Sequence, residues 1–177
     1  MERKLQTPSQ TVGPYFAYSL TPEQYGYDFD SWATPDLVND INVAEVITIT
    51  GQVFDGEGNP VDDAMLEIWQ NDKEAQLFGR CGTGTDSENR FIFKTIKPQA
   101  VEGNAPFLSV ILFMRGALIH LYTRIYFSDE MELNAKDETL QSVPEARRQT
   151  LIAQKKGKVY EFNIHMQGEK ETVFFDV

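Results

Sequence analysis

Hydrophobic and polar residues alternate along several short stretches of this chain, which is the pattern of strands that bury one face. Residues 46–54 show it clearly, because Ile47, Ile49 and Val53 alternate with threonine and glutamine. The same pattern, or a short apolar run, predicts further strands at 64–70, 90–98, 107–114, 118–127, 158–167 and 171–177. The turn sequence DGEGNP at 55–60 predicts that the first two strands form a hairpin.

One segment, 142–152, has the signals of a helix. Ser142 is a capping residue type, Pro144 fits the first turn, and Glu145 completes a capping box. At least seven strands with short connections and one short helix predict an all-β sandwich. We expect a single domain over 1–177, with an irregular, tyrosine-rich N-terminal arm at 1–45 that wraps over another surface and a β-sandwich core at 46–177.

Composition narrows the class of function. Acidic residues outnumber basic ones by 27 to 16 and give a net charge of −11, which disfavours nucleic-acid binding. No apolar stretch reaches membrane-spanning length, and the charged residues that follow Met1 predict no signal peptide. A single cysteine, Cys81, excludes an internal disulfide framework. These features predict a cytoplasmic protein without a membrane partner.

Few residues are suited to metal binding or catalysis. The two histidines, His120 and His165, lie far apart and outside any cluster with ligand spacing, and one cysteine cannot build a thiolate site. The apolar run at 107–114 ends at Arg115, whose guanidinium stays charged and is costly to bury without an anion. Arg115 is therefore the first candidate for a functional residue.

Several motifs carry a family resemblance. TPSQTVGPYF lies at 7–16, GQVFDGEGNPV at 51–61, LEIWQ at 66–70 and TIKP at 95–98, and together they resemble the intradiol ring-cleaving dioxygenases. FMRGALIHLYTRIYFSDE at 113–130 and MQGEKETVFFDV at 166–177 are similar, more narrowly, to the α-type chains of the members that cleave 3,4-dihydroxybenzoate. The resemblance spans nearly the whole chain and implies a β-sandwich fold.

The resemblance also implies an activity. In that family an α-type chain pairs with a homologous β-type chain, which binds one non-haem iron(III) through two tyrosines and two histidines. The complex opens the ring of 3,4-dihydroxybenzoate with O₂, between the two hydroxylated carbons, and gives 3-carboxy-cis,cis-muconate. By this resemblance the chain is one subunit of an oxidoreductase and is inactive alone.

The family's ligand positions hold other residues in this sequence. The His-x-His pair of catalytic members corresponds to Phe107 and Ser109, and residues i and i+2 of a strand point to the same side. The two tyrosine positions fall in a shortened loop at 71–80 and in 99–104, and neither segment contains tyrosine. We therefore expect this chain to bind no metal, and the iron of the complex to be ligated by the β-type partner.

The resemblance implies that the chain contributes substrate-binding residues instead. These are Thr11, Gly13, Pro14 and Tyr15 in the arm, together with Arg115. A Gly-Pro turn brings backbone close to a ligand, and a planar guanidinium suits the carboxylate of the substrate. The alternatives are an arm turn that binds the chain's own sandwich, and an ion pair of Arg115 with one of the 27 acidic side chains.

Two other functions stay open at this point. His120, Tyr122 and Tyr126 share one strand face, and a metal site built from them would make the chain a self-sufficient enzyme. Alternatively, the chain is a non-catalytic β-sandwich module for binding or structure that descends from a dioxygenase. Arg124 and Tyr126 are otherwise expected at a subunit interface or in the core.

Overall fold

The computed structural model describes residues 15–39, 45–71, 76–101 and 103–176, the first three of them (15–17) by their backbone only. The strands of this part of the chain are β1 (Ile47–Phe54), β2 (Met65–Asn71), β3 (Gln76–Gly82), β4 (Arg90–Thr95), β5 (Phe107–Phe113), β6 (Leu121–Phe127), β7 (Ile152–Lys156), β8 (Val159–Glu161) and β9 (Ile164–His165). The helices are α1 (Tyr15–Leu20), α2 (Met131–Asn134), α3 (Glu138–Ser142) and α4 (Glu145–Arg148), with 3-10 turns at Glu23–Tyr25 and Gln149–Leu151.

The strands form a sandwich of two layers. One layer has the order β3-β2-β5-β6 and the other the order β7-β8-β1-β4, and β9 pairs with β1. The layers are continuous where β6 and β7 pair in parallel, at Tyr126 with Ile152 and at Phe127 with Ala153. The predicted all-β sandwich is confirmed. No helix within the described ranges is long and apolar enough to cross a membrane.

The hydrophobic core lies between the layers and takes alternate residues of the long strands. Ile49 and Val53 of β1 and Leu108, Val110 and Leu112 of β5 are all fully buried in it. Since one strand face supplies these side chains, the alternation in the sequence translates directly into the core. A smaller cluster lies under the helices and consists of Ala105, Tyr126, Leu140, Val143 and Leu151.

The N-terminal arm covers the edge at which β3 and β4 approach each other. The Thr34 carbonyl accepts from the Arg80 amide at 3.3 Å, and the Leu37 amide donates to the Lys94 carbonyl at 2.9 Å. Gly79 permits this approach, because a Cβ there would lie 2.3 Å from Leu37 Cδ1. The described part of the arm therefore packs on the chain's own sandwich.

The predicted hairpin of β1 and β2 is wrong. β1 pairs with β4, β8 and β9, whereas β2 pairs with β3 and β5 in the other layer. The turn itself forms, since the Asp55 carboxylate accepts from the amides of Glu57 and Asn59 at 2.9 and 2.8 Å. After this turn the chain crosses between the layers, because β1 and β2 bury their apolar faces from opposite sides of one core.

The predicted helix at 142–152 is shorter and begins later. Ser142 ends α3, and its hydroxyl donates to the Thr139 carbonyl at 2.7 Å instead of capping a new helix. Pro144 stands at the N-cap of α4, and β7 starts at Ile152. The capping signal that matters belongs to α3, where the Asp137 side chain accepts from the Leu140 amide.

Three predicted loops and strands also need correction. Six of the ten residues of the expected loop at 71–80 lie in strands, because β2 extends to Asn71 and β3 begins at Gln76. The expected strand at 158–167 is split between β8 and β9, where Asn163 Oδ1 accepts from the Gln52 amide at 3.0 Å. Within 171–176 no regular strand forms, and Phe175 makes a single bridge with Tyr122.

Candidate functional site

The candidate site lies at one end of the β2–β5 pair. Met65, the first residue of β2, pairs with Phe113, the last residue of β5. The loop before β2 and the turn after β5 therefore lie side by side. The loop contains Asp62 and Asp63, and the turn contains Arg115. Gly116 follows with φ of +85°, a conformation that favours glycine and reverses the chain.

Arg115 forms ion pairs across this gap. Its Nε lies 3.0 Å from Asp63 Oδ2, and its Nη2 lies 3.5 Å from Asp62 Oδ1. The Arg115 side chain is 61% exposed, whereas that of Asp63 is only 11% exposed. The strand-end guanidinium is thus not buried as the sequence suggested, and the expected alternative of an ion pair with the chain's own carboxylates is realised.

Asp63 is the unusual member of this group. Burial raises the pKa of its carboxyl, the Arg115 charge opposes that shift, and the charge of Asp62 adds to it. Its Oδ1 is buried and has no hydrogen-bond partner among the residues that the structure describes. Ionising such a buried carboxylate costs more free energy than ionising one that is exposed to water.

The loop that carries Asp63 is rigid. The buried Thr83 hydroxyl donates to the Val61 carbonyl at 2.7 Å and accepts from the Ala64 amide at 3.2 Å. The Thr83 amide in turn donates to the Ala64 carbonyl at 2.9 Å. These bonds fix the backbone on both sides of Asp62 and Asp63.

The N-terminal arm is anchored beside the same loop. Gln24 Oε1 accepts from the Gly82 amide at 2.9 Å, and its Nε2 donates to the Gly82 carbonyl and to Thr85 Oγ1 at 2.6 and 2.7 Å. A Cβ at Gly84 would lie 2.3 Å from the Asp62 carbonyl and 2.9 Å from the Tyr25 hydroxyl. The arm, the Asp62 loop and the residues after β3 therefore meet at one place.

Two arm tyrosines that the sequence did not single out form part of this meeting point. The rings of Tyr18 and Tyr25 are in edge contact, with centroids 4.8 Å apart. Burial raises the pKa of Tyr25, and the nearby Tyr18 and Asp63 add to the shift. Their signal in the sequence is the cluster of tyrosines in the arm, which by itself indicates only a segment that wraps over another surface.

A second candidate site, for a metal ion, lies on the face of β5 and β6 that points away from the main core. Phe107 and Ser109 point away from the main core and pair with Tyr126 and Arg124 of β6, and Phe107 packs against the smaller cluster under the helices. The Arg124 guanidinium carbon lies 4.1 Å from the Phe107 ring centre, and Nη1 donates to the Tyr126 hydroxyl at 3.2 Å. A fixed positive charge therefore occupies this face, which disfavours a metal cation beside it.

The three residues of the alternative metal site do not converge. His120 Nε2 lies 2.8 Å from the Tyr122 hydroxyl at the surface. The fully buried Tyr126 hydroxyl instead donates to Asp137 Oδ1 at 3.0 Å, and burial raises its pKa to about 12. Within the ranges described, no group of three or more His, Cys, Asp or Glu side chains could hold a metal ion.

Comparison with known proteins identifies close relatives. The chain is 47% identical over 192 residues to the protocatechuate 3,4-dioxygenase alpha chain of Burkholderia cepacia, covering 97% of this chain and 98% of that one. It is 40% identical to the alpha chain of Pseudomonas putida, covering 97% and 96%. The chain belongs to the protocatechuate 3,4-dioxygenase alpha-chain family.

The wider comparisons agree with this family. The protocatechuate 3,4-dioxygenase beta chain of Burkholderia cepacia is 32% identical over 162 residues, covering 73% of this chain and 68% of that one. Among solved structures, an intradiol ring-cleavage dioxygenase from Tetranychus urticae has a TM-score of 0.55 at 15% identity, covering 90% and 94%. A dioxygenase domain from Streptomyces sp. SirexAA-E has a TM-score of 0.59 at 21% identity, covering 84% and 95%. These structures show the fold, and no protein-family model matches the chain.

For this alpha-chain family member, the residues at Phe107 and Ser109 do not fit an iron ion. Phenylalanine has no lone pair to donate, and the adjoining Arg124 contributes a positive charge. Of the arm residues expected to bind substrate, Thr11, Gly13 and Pro14 lie outside the described residues. Tyr15 is described by its backbone alone, as the first residue of α1.

Proposed function

We propose that the chain is the alpha subunit of a protocatechuate 3,4-dioxygenase and acts together with a homologous beta subunit. The complex cleaves 3,4-dihydroxybenzoate with O₂ to 3-carboxy-cis,cis-muconate. The observation that carries this proposal is the 47% identity, over nearly the full length of both chains, to an alpha chain of that name. The 32% identity to a beta chain supports a partner of the same ancestry. The single cysteine favours the cytoplasm as the compartment.

In this proposal the ferric iron belongs to the beta subunit. Phe107 and Ser109 stand where the resemblance places the histidine pair, and the charge of Arg124 lies beside them, which favours ligation by the partner chain. When bound there, the iron supplies the activation of the diol toward O₂. The alpha chain contributes binding and orientation only.

Arg115 is the proposed contact to the substrate carboxylate. Its side chain is largely exposed, and the atoms recorded in its two ion pairs, Nε and Nη2, form one edge of the guanidinium. A guanidinium edge can bind a carboxylate through two parallel hydrogen bonds. Holding the carboxylate would fix the ring so that its diol meets the metal, which is a contribution of positioning. Thr11, Gly13, Pro14 and Tyr15 are proposed as a wall of the same pocket.

Co-purification with a beta chain tests this function. The alpha chain alone should contain no iron and should be colourless, since ferric tyrosinate absorbs visible light. With a beta chain it should form a stable complex that consumes protocatechuate and O₂ in equal amounts. A non-catalytic module would form no active complex, and a self-sufficient enzyme would bind iron and turn over alone. Either result would contradict the proposal.

A further inference from the structure

We propose that Asp63 is a positioning residue, which holds the Arg115 guanidinium in the orientation that receives the substrate carboxylate. This inference rests on the proposed function and names a residue that neither the sequence motifs nor the family resemblance singled out. It begins from the geometry of the pair. Asp63 Oδ2 lies 3.0 Å from Arg115 Nε, and this ion pair limits the orientations that the guanidinium can take.

The contact leaves the far edge of the guanidinium for a ligand. Asp62 adds a second, longer contact, in which Arg115 Nη2 and Asp62 Oδ1 are 3.5 Å apart, so the two carboxylates approach the Nε and Nη2 edge of the guanidinium. The Arg115 side chain is 61% exposed, which leaves most of it accessible to a ligand. An arginine on an exposed turn has many rotamers, and ordering it before the substrate arrives removes an entropic cost of binding.

The support for this orientation is rigid on the aspartate side. Thr83 bonds to the backbone of Val61 and Ala64, the residues that flank the two aspartates. Asp63 thus projects from a fixed loop, and Arg115 projects from a turn that ends in Gly116 with positive φ. A carboxylate on a hydrogen-bonded loop therefore orients an arginine on an exposed turn.

Stability alone does not explain a buried carboxylate at this position. The Asp63 side chain is 11% exposed, and its Oδ1 has no partner in the part of the chain that the structure describes. Removal of one partner of a buried pair is costly when it leaves a charge uncompensated. Here Asp63 is the buried partner and Arg115 is largely in water. Replacing Asp63 by asparagine would therefore remove a buried charge and leave Arg115 solvated. A buried carboxylate that is costly to stability and lies beside a candidate binding residue is typical of a functional site.

The test uses the complex of this chain with its beta subunit and compares kcat/KM for protocatechuate with kcat/KM for catechol, which has no carboxylate. Asp63→Asn should lower the ratio of kcat/KM for protocatechuate to kcat/KM for catechol by about five- to twentyfold, mainly through KM for protocatechuate, since the ion pair that orients Arg115 is lost. The catechol rate should not change, and the thermal midpoint of the variant should equal or exceed that of the natural chain. Asp86→Asn is the matched control, because Asp86 Oδ2 also lies 3.0 Å from an arginine Nε, that of Arg90. It should leave the ratio unchanged.

Two further variants test whether Asp63 acts through Arg115. The double variant Asp63→Asn with Arg115→Ala should have the ratio of Arg115→Ala alone, because coupled residues are not additive. Arg115→Lys keeps the charge, lacks Nε, and should lower the ratio without any change at residue 63. An unchanged ratio in Asp63→Asn, equal losses on both substrates, or additive effects in the double variant would overturn the positioning role. If the natural complex cleaves neither diol, the proposed function itself fails.

Discussion

Arg124 lies over the ring of Phe107, with 4.1 Å between its guanidinium carbon and the ring centre. The two residues face each other across the β5–β6 pair, in which Phe107 pairs with Tyr126 and Ser109 with Arg124. An arginine over an aromatic ring is a favourable cation–π contact. The same contact places a permanent positive charge on the strand face where a histidine pair would hold a metal.

The first prediction is that restoring histidines here is not sufficient for metal binding. The double variant Phe107→His with Ser109→His should bind Ni²⁺ weakly, because Arg124 repels a divalent cation a few ångströms away. Adding Arg124→Gln should strengthen binding by on the order of tenfold or more, from the removal of one charge at short range. Isothermal titration of the alpha chain measures this. The control is Arg90→Gln in the other layer, which should have no effect, and equal affinities with and without Arg124 would contradict the electrostatic argument.

The second prediction concerns Arg115. In the complex, Arg115→Ala should reduce kcat/KM for protocatechuate by about 1.5–3 kcal/mol in transition-state free energy, the usual range for a hydrogen bond to a charged group. The value for catechol should change little, since catechol has no carboxylate to lose. Steady-state kinetics on both diols gives the comparison, with Arg90→Ala as a control arginine that pairs with Asp86 and Glu88. Equal reductions on the two diols would show that Arg115 acts on structure instead of carboxylate binding.

The strands were the most predictable part of the fold. β1 and β5 were found because Ile49, Val53, Leu108 and Val110 lie on faces that the core buries completely. β3 was missed because its sequence, QLFGRCG, contains two glycines and an arginine and shows no alternation. Propensity is a weak guide where tertiary contacts decide, as with Gly79, whose small size is required by the arm.

Contacts between segments far apart in the sequence could not be predicted from the sequence. The pairing of Met65 with Phe113 brings the Asp62 loop to the Arg115 turn, and this pairing joins segments almost fifty residues apart. The turn at 55–60 suggests that β1 and β2 pair as a hairpin. Instead, β2 lies in the other layer, because the two strands bury their apolar faces in one core from opposite sides. The chemistry of Arg115 marks it as a candidate in the sequence, whereas its contact with Asp63 is seen only in the three-dimensional structure.

The third prediction concerns the pH dependence of stability. Burial acts to raise the pKa of Asp129, but hydrogen bonds from Lys155, Lys97 and the Tyr160 hydroxyl outweigh it and lower the pKa to about 2. A carboxyl whose pKa is lower in the folded state stabilises the protein above its unfolded pKa, and this contribution is lost as the pH falls through the folded value. The contribution of Asp129 should therefore be present above about pH 4 and disappear toward pH 2.

Asp129→Asn should accordingly lower the free energy of unfolding at pH 7 by about 1 kcal/mol, since solvent screening weakens a partly exposed network. The difference between the natural chain and the variant should shrink between pH 4 and pH 2. Urea unfolding at several pH values measures it. Asp36→Asn, which removes a carboxylate paired with Lys94 nearer the surface, is the control and should show a smaller difference. A difference that stays constant down to pH 2 would argue against the ionised network.

The fourth prediction tests the docking of the arm. Gly79→Ala should displace the arm segment, because the added Cβ would lie 2.3 Å from Leu37 Cδ1 and 2.7 Å from the Thr34 carbonyl. The Thr34 atom belongs to the backbone and cannot turn away, so overpacking should destabilise the chain by roughly 1–3 kcal/mol. Hydrogen exchange should then accelerate at the Leu37 amide, which donates to Lys94, while amides in the centre of β5 keep their protection. In the double variant Gly79→Ala with Leu37→Ala, the clash with the Leu37 side chain is absent but the clash with the Thr34 carbonyl remains. The double variant should therefore regain part of the protection, but not all of it. Full protection of Leu37 in Gly79→Ala would mean that the arm adapts to the extra carbon and that the glycine is not required.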